Sequence, residues 1–132
     1  MLAGRLFLFF NGLLGVLLGG FVTLFADLSI LGIQLTGAPL IEVRTAMGGA
    51  WLALGLYWFA ATFGRRVRTA VGAVSGFYAV TAIARGIAMP AGGSTEATLM
   101  FLAFEALVAL LGAFLFFVTL APNRRRIFSG AD

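Results

Sequence analysis

The chemistry open to this chain is confined to a few polar residues set among apolar ones. Glu42 and Arg44 are neighbours in the sequence, while Arg85 and Glu105 each lie inside a long apolar stretch. An ionisable side chain in such a stretch is costly to hold away from water and normally has a partner or a function. These four groups allow three uses: ion pairs that fix helix register, a cavity in which Arg44 and Arg85 hold a polar or acidic headgroup while Glu105 balances the charge, or proton-coupled work at Glu105. Tyr78, Ser75 and Trp51 are the other groups that could line such a cavity. The chain has no Cys and no His. Disulfides, thiol redox chemistry and thiolate metal sites are therefore excluded, and the commonest metal ligand and neutral-pH proton shuttle is missing. No metal-ligand spacing, phosphate-binding loop or catalytic triad occurs, so the expectation is a chain without metal, cofactor or enzymatic activity.

The elements that must position these residues follow from composition. Of 132 residues, 61% are hydrophobic and 11% charged, against roughly 45–50% and about 25% in ordinary soluble domains. A small soluble domain cannot hide that much apolar surface, so the bilayer is the expected solvent and an all-α membrane protein the expected class. Four apolar stretches, about 2–25, 43–63, 67–89 and 97–120, each approach the ~20 residues that cross a bilayer core. The first is long for a signal peptide and lacks a clear cleavage site, so it is read as a retained span. Residues 1–121 then form a four-transmembrane-helix antiparallel bundle, and 122–132 a basic tail.

The links carry their own signals. Gly64-Arg65-Arg66 is short enough to force a hairpin between the second and third helices. Pro90 should stop the third helix, and Ser94 or Thr95 can cap the fourth, with Glu96 at the positive end of its dipole. Arg5, the Arg65/Arg66/Arg68 cluster and the Arg124/Arg125/Arg126 cluster fall on one side of a four-span chain, whereas Asp27, Glu42 and Glu96 fall on the other. The positive-inside rule then places both termini in the cytoplasm. The net charge of +4 is thus read as topology, with no role for nucleic acid.

Helical spacing predicts which residues share a face. Asn11, Gly15 and Gly19 align on the first helix; Arg44, Met47, Gly48, Trp51 and Gly55 on the second; Ser75, Tyr78, Ala82 and Arg85 on the third; Thr98, Glu105 and Gly112 on the fourth. Gly15 with Gly19 and Gly72 with Gly76 are small-xxx-small pairs, and Gly48, Gly49 and Ala53 crowd one side of the second helix; such faces let helix backbones approach closely in a membrane. At ~1.5 Å per residue, Arg85 lies about 7 Å in from Pro90 and Glu105 about 13 Å in from Glu96, so the two are expected within reach of each other. Trp58 and Tyr57 approach the cytoplasmic interface, where aromatic belts form; Trp51 is deeper and should pack or line a cavity.

The run Gly37-Ala38-Pro39-Leu40-Ile41-Glu42-Val43-Arg44-Thr45-Ala46-Met47-Gly48-Gly49 with Leu54-Gly55-Leu56, together with Ala84-Arg85-Gly86 and Glu105, resembles the signature of the bacterial membrane family catalogued as domain of unknown function 4345. The resemblance spans nearly the whole chain and implies four membrane helices in a layout similar to DoxX-like proteins, with no established activity. The leading functional expectation is a non-enzymatic accessory or scaffold subunit of a larger complex in a bacterial inner membrane, with other membrane subunits or a second copy as partners. The alternative is a small-ligand or lipid-binding protein, possibly a transporter, using the Arg/Glu cavity.

Overall fold

The structure, a computed structural model, describes residues 1–25, 44–92 and 95–119. Segment 26–43, which carries Asp27 and Glu42, the pair 93–94, and segment 120–132 with Arg124, Arg125 and Arg126 lie outside the described residues, as does the side chain of Arg44.

The described residues form helices joined by short links, with no strand among them. Helix α1 is Leu2–Phe25; α2 is Gly49–Phe63, entered through a π-helical turn at Arg44–Gly48; α3 is Val67–Gly92; α4 is Glu96–Phe114, left through a second π turn at Leu115–Thr119. Four stretches of 24, 18, 24 and 23 residues are long and apolar enough to cross a membrane. The shortest rises about 27 Å and the others about 34–36 Å, which matches a hydrocarbon core of roughly 30 Å. The outward faces are what such a solvent requires. Leu6, Phe10 and Leu17 on α1, Val80, Ile83 and Ile87 on α3, and Leu107, Leu110 and Phe114 on α4 are all exposed.

The third helix runs past the expected stop: Pro90 sits inside α3, which continues to Gly92. A proline there removes only its own amide bond and crowds the carbonyl four residues back. That residue is Gly86, and with Pro90 two residues from the end at Gly92 only the last turn is affected. At the other side of the link, Thr95 caps α4 as expected, its hydroxyl accepting from the Thr98 amide at 3.2 Å.

The most extensive contact is between α1 and α2, and the next between α3 and α4. Glycine sets the first. A Cβ at Gly15 would lie 2.8 Å from Gly55 Cα, and one at Gly12 would lie 2.5 Å from the Phe59 amide nitrogen. Gly19 meets Leu52, and Gly48 meets Thr23, at still closer range. At Gly12, Gly15 and Gly19 the nearest atoms are backbone, so no side chain could move aside there; at Gly48 the Thr23 hydroxyl is nearest, with the Thr23 backbone just behind it. The second contact is closed by Gly112, which packs on Ser75, and by the Ser75 hydroxyl, which donates to the Ala109 carbonyl at 2.7 Å. The core lies between the pairs: Phe7 and Leu8 from α1, Trp58 from α2, Val71, Val74 and Tyr78 from α3, and Val108 from α4.

The predicted inward faces hold, with one exception. Asn11, Gly15, Gly19, Gly48, Gly55, Ser75, Tyr78, Glu105 and Gly112 are all buried, whereas Met47 is exposed. Three glycines expected at backbone contacts are elsewhere: Gly49 and Gly76 have nothing near them, and Gly72 houses the ring of Phe116 rather than a neighbouring backbone; Ala53, expected beside Gly48 and Gly49, is exposed. Trp58, expected at an aromatic belt, is only 2% exposed. It lies two helical turns from Trp51 on the inward face of α2, and stacks against Phe77 and Tyr78.

Candidate functional site

Helices α3 and α4 bring together the two ionisable residues that the sequence places deep in them. Arg85 and Glu105 form a bidentate pair: Nε donates to Oε2 at 2.9 Å and Nη2 to Oε1 at 2.7 Å. This fork-to-fork geometry is the strongest that a guanidinium and a carboxylate can adopt. The register that permits it is set elsewhere, by the Ser75–Ala109 bond and the Gly112 contact some turns away on the same two helices.

The pair is asymmetric. The Glu105 side chain is 8% exposed and that of Arg85 33%. Arg85 stays partly open because its guanidinium lies over Phe101 at 5.4 Å from the ring centroid and faces a cleft. That cleft has a volume of about 570 Å³ and is walled by Trp51 of α2, by Phe77, Thr81, Ala84, Arg85, Ala88 and Met89 of α3, and by Thr98 and Glu105 of α4. Its size falls within the roughly 300–1,000 Å³ of small-molecule sites, and its make-up follows their pattern of an apolar wall with few polar groups. Ala84 and Ala88, one turn apart, are exposed and leave one flank open.

Most polar groups of the wall are already engaged. The Thr81 hydroxyl donates to the Tyr78 carbonyl at 3.0 Å, and the Thr98 hydroxyl lies 2.8 Å from that of Thr95. A guanidinium carries five N–H groups. Two of those on Arg85 go to Glu105, which leaves three with no acceptor among the described residues. The cleft can thus offer hydrogen bonds from a site that is formally neutral, beside aromatic and aliphatic carbon.

Of the other residues expected at this site, Trp51 lines the cleft. Tyr78 does not: it lies beneath, in edge or tilted contact with Trp51, Phe77 and Phe104, and its buried hydroxyl has no partner among the described residues. Ser75 serves helix packing. Asn11 bonds its own helix, donating to the Phe7 carbonyl at 2.8 Å. Glu42 and the Arg44 side chain lie outside the described residues. Phe77 and Ala88, which line the cleft, and Phe101 under the Arg85 guanidinium escaped the sequence reading, because apolar residues in an apolar helix give no sign of what they will face.

Comparisons with protein-family models, with curated proteins and with solved structures find no match for this chain.

Proposed function

We propose that this chain is a non-enzymatic, multi-pass protein that binds a small amphiphile or a lipid in the cleft beside Arg85. The carrying observation is the pairing of a cleft of about 570 Å³ with a guanidinium whose carboxylate partner uses two of its five donors. An apolar body would lie against Trp51, Phe77 and Met89, and an uncharged or zwitterionic oxygen acceptor would take the N–H groups of Arg85 that have no acceptor among the described residues. A neutral Arg–Glu pair offers little net attraction to a free anion, so the match is to a dipole. The membrane expected is the bacterial cytoplasmic one. An antiparallel arrangement with both termini in the cytoplasm is supported by the contacts of Gly12 with Phe59, Gly15 with Gly55 and Gly19 with Leu52, and by the arginine distribution. The cleft, at the end of α3 remote from Arg65 and Arg66, would then open toward the outer face.

Native mass spectrometry of the protein, purified in mild detergent from its own membrane, tests this. The expected result is a stoichiometric adduct that disappears in Ala88→Phe, which fills the cleft from an exposed position. A wild-type protein free of adduct, or an adduct retained in both Ala88→Phe and Arg85→Ala, would overturn the reading.

A second reading, an accessory subunit docked on other membrane helices or on its own copy, is supported by α3. Ala73, Gly76, Val80, Ile83 and Ile87 form an exposed outward stripe with open space at Gly76, a surface suited to close helix approach in lipid. Blue-native migration well above the monomer, returned to the monomer by Gly76→Leu, would support it.

A further inference from the structure

At the opposite end of α3 a second arginine is held differently. Arg68 stands in the first turn of the helix, partly buried, with its guanidinium carbon 4.4 Å from the centroid of the Phe116 ring. That ring also packs on Gly72, where a Cβ would lie 3.0 Å from its Cδ2 and Cε2 atoms. Arg68 and Gly72 are one turn apart on one face of α3. The glycine makes room for the ring, the π turn at Leu115–Thr119 carries it there, and the ring supports the guanidinium.

Among the described residues the fully buried Nε of Arg68 has no hydrogen-bond acceptor, and no carboxylate reaches the guanidinium. The described acids are Glu96 and Glu105, both on α4. The nearer, Glu105, stands eleven residues before Phe116, about 16 Å along the axis. Arg65 and Arg66, exposed on the link just before, add two positive charges to the same corner. The N-terminal end of α3 adds its dipole, since Ala70 N is bonded to Arg66 O while the amides before it point out of the helix end. The buried Nε is out of a ligand's reach, so a phosphate would meet the Nη groups of this partly exposed side chain, edge-on to the stacked plane. The corner is at the end of a membrane span, the level at which phospholipid phosphates lie.

We propose that Arg68, stacked on Phe116 and flanked by Arg65 and Arg66, holds the phosphate of an anionic phospholipid at the α2–α3 corner. This site is separate from the cleft at Arg85 and does not depend on it.

The test is native mass spectrometry of the detergent-purified full chain titrated with phosphatidylglycerol or phosphatidylcholine of matched acyl chains. Wild type should retain one phosphatidylglycerol in clear preference to phosphatidylcholine. A surface arginine contributes about fivefold to anionic-lipid affinity, so Arg65→Gln should lower retention by about that factor, whereas Arg68→Gln should lower it by clearly more. Phe116→Leu, which keeps all charges but removes the stack, should also weaken retention. Equal losses in Arg65→Gln and Arg68→Gln would mean a diffuse positive surface and overturn the site. So would a wild type without preference, or displacement of the lipid by millimolar inorganic phosphate, which would assign the corner to the free anion.

Discussion

Removing one member of the Arg85–Glu105 pair should cost far more than removing both. In Arg85→Met the Glu105 carboxylate, 8% exposed, is left without its two charge-assisted bonds, and a lone charge buried in that way costs about 3–5 kcal/mol. In Glu105→Leu the surviving guanidinium is 33% exposed, rests over Phe101 and lies at the cleft. A partly open arginine can swing its head toward water along its stem, so the cost should be smaller, about 1–3 kcal/mol. The double variant Arg85→Met/Glu105→Leu fills the same space with carbon and should lie within about 1–2 kcal/mol of wild type, because apolar replacement of a buried pair is often neutral or better. Additivity would instead predict a loss of about 4–8 kcal/mol, the sum of the two single costs. Reversible unfolding in mixed micelles titrated with sodium dodecyl sulfate, followed by circular dichroism, measures all four proteins. Equal costs for the two single variants would refute the argument from unequal exposure. A double variant as poor as the sum would refute the claim that the pair acts as a unit.

Two further outcomes follow from the helix contacts. Gly15→Leu should lower stability by at least about 1–3 kcal/mol, the range for forced overpacking, since its Cβ would strike the backbone of Gly55 at 2.8 Å; Gly76→Leu, with open space around it, should leave the stability of the monomer unchanged in the same micelle titration. Thr95→Ala removes the hydroxyl that accepts from the Thr98 amide and should cost about 0.5–2 kcal/mol, seen as earlier exchange of the amides in the first turn of α4 by hydrogen–deuterium exchange.

What the sequence decided unaided was everything that depends on solvent and local period. Length and apolar content mark four stretches for a membrane, because a bilayer rewards whole runs of about 20 residues whatever their order within the run. The 3.6-residue period assigns Asn11, Ser75, Tyr78, Glu105 and Gly112 to inward faces, and depth along two helices brings Arg85 within reach of Glu105. A threonine before an apolar run caps α4 because capping is local. Pro90 marks a helix end only to within a turn, since the last turn tolerates a missing amide bond.

Only the tertiary structure decided which glycines are contacts. Gly15 and Gly76 are alike in sequence context, both in small-residue pairs, but one faces Gly55 backbone and the other faces open space, and nothing in either helix alone records what lies opposite. The cleft at Arg85 has the same origin: its walls come from three helices, and Ala84, Ala88, Phe77 and Trp51 become a surface only when those helices stand at their particular separation. The two arginines show it most clearly. Arg85 and Arg68 are the same residue on the same helix, one paired bidentately with a carboxylate and the other stacked on a ring with its Nε unmet among the described residues. The difference is set by which residue of α4 the packing brings alongside each.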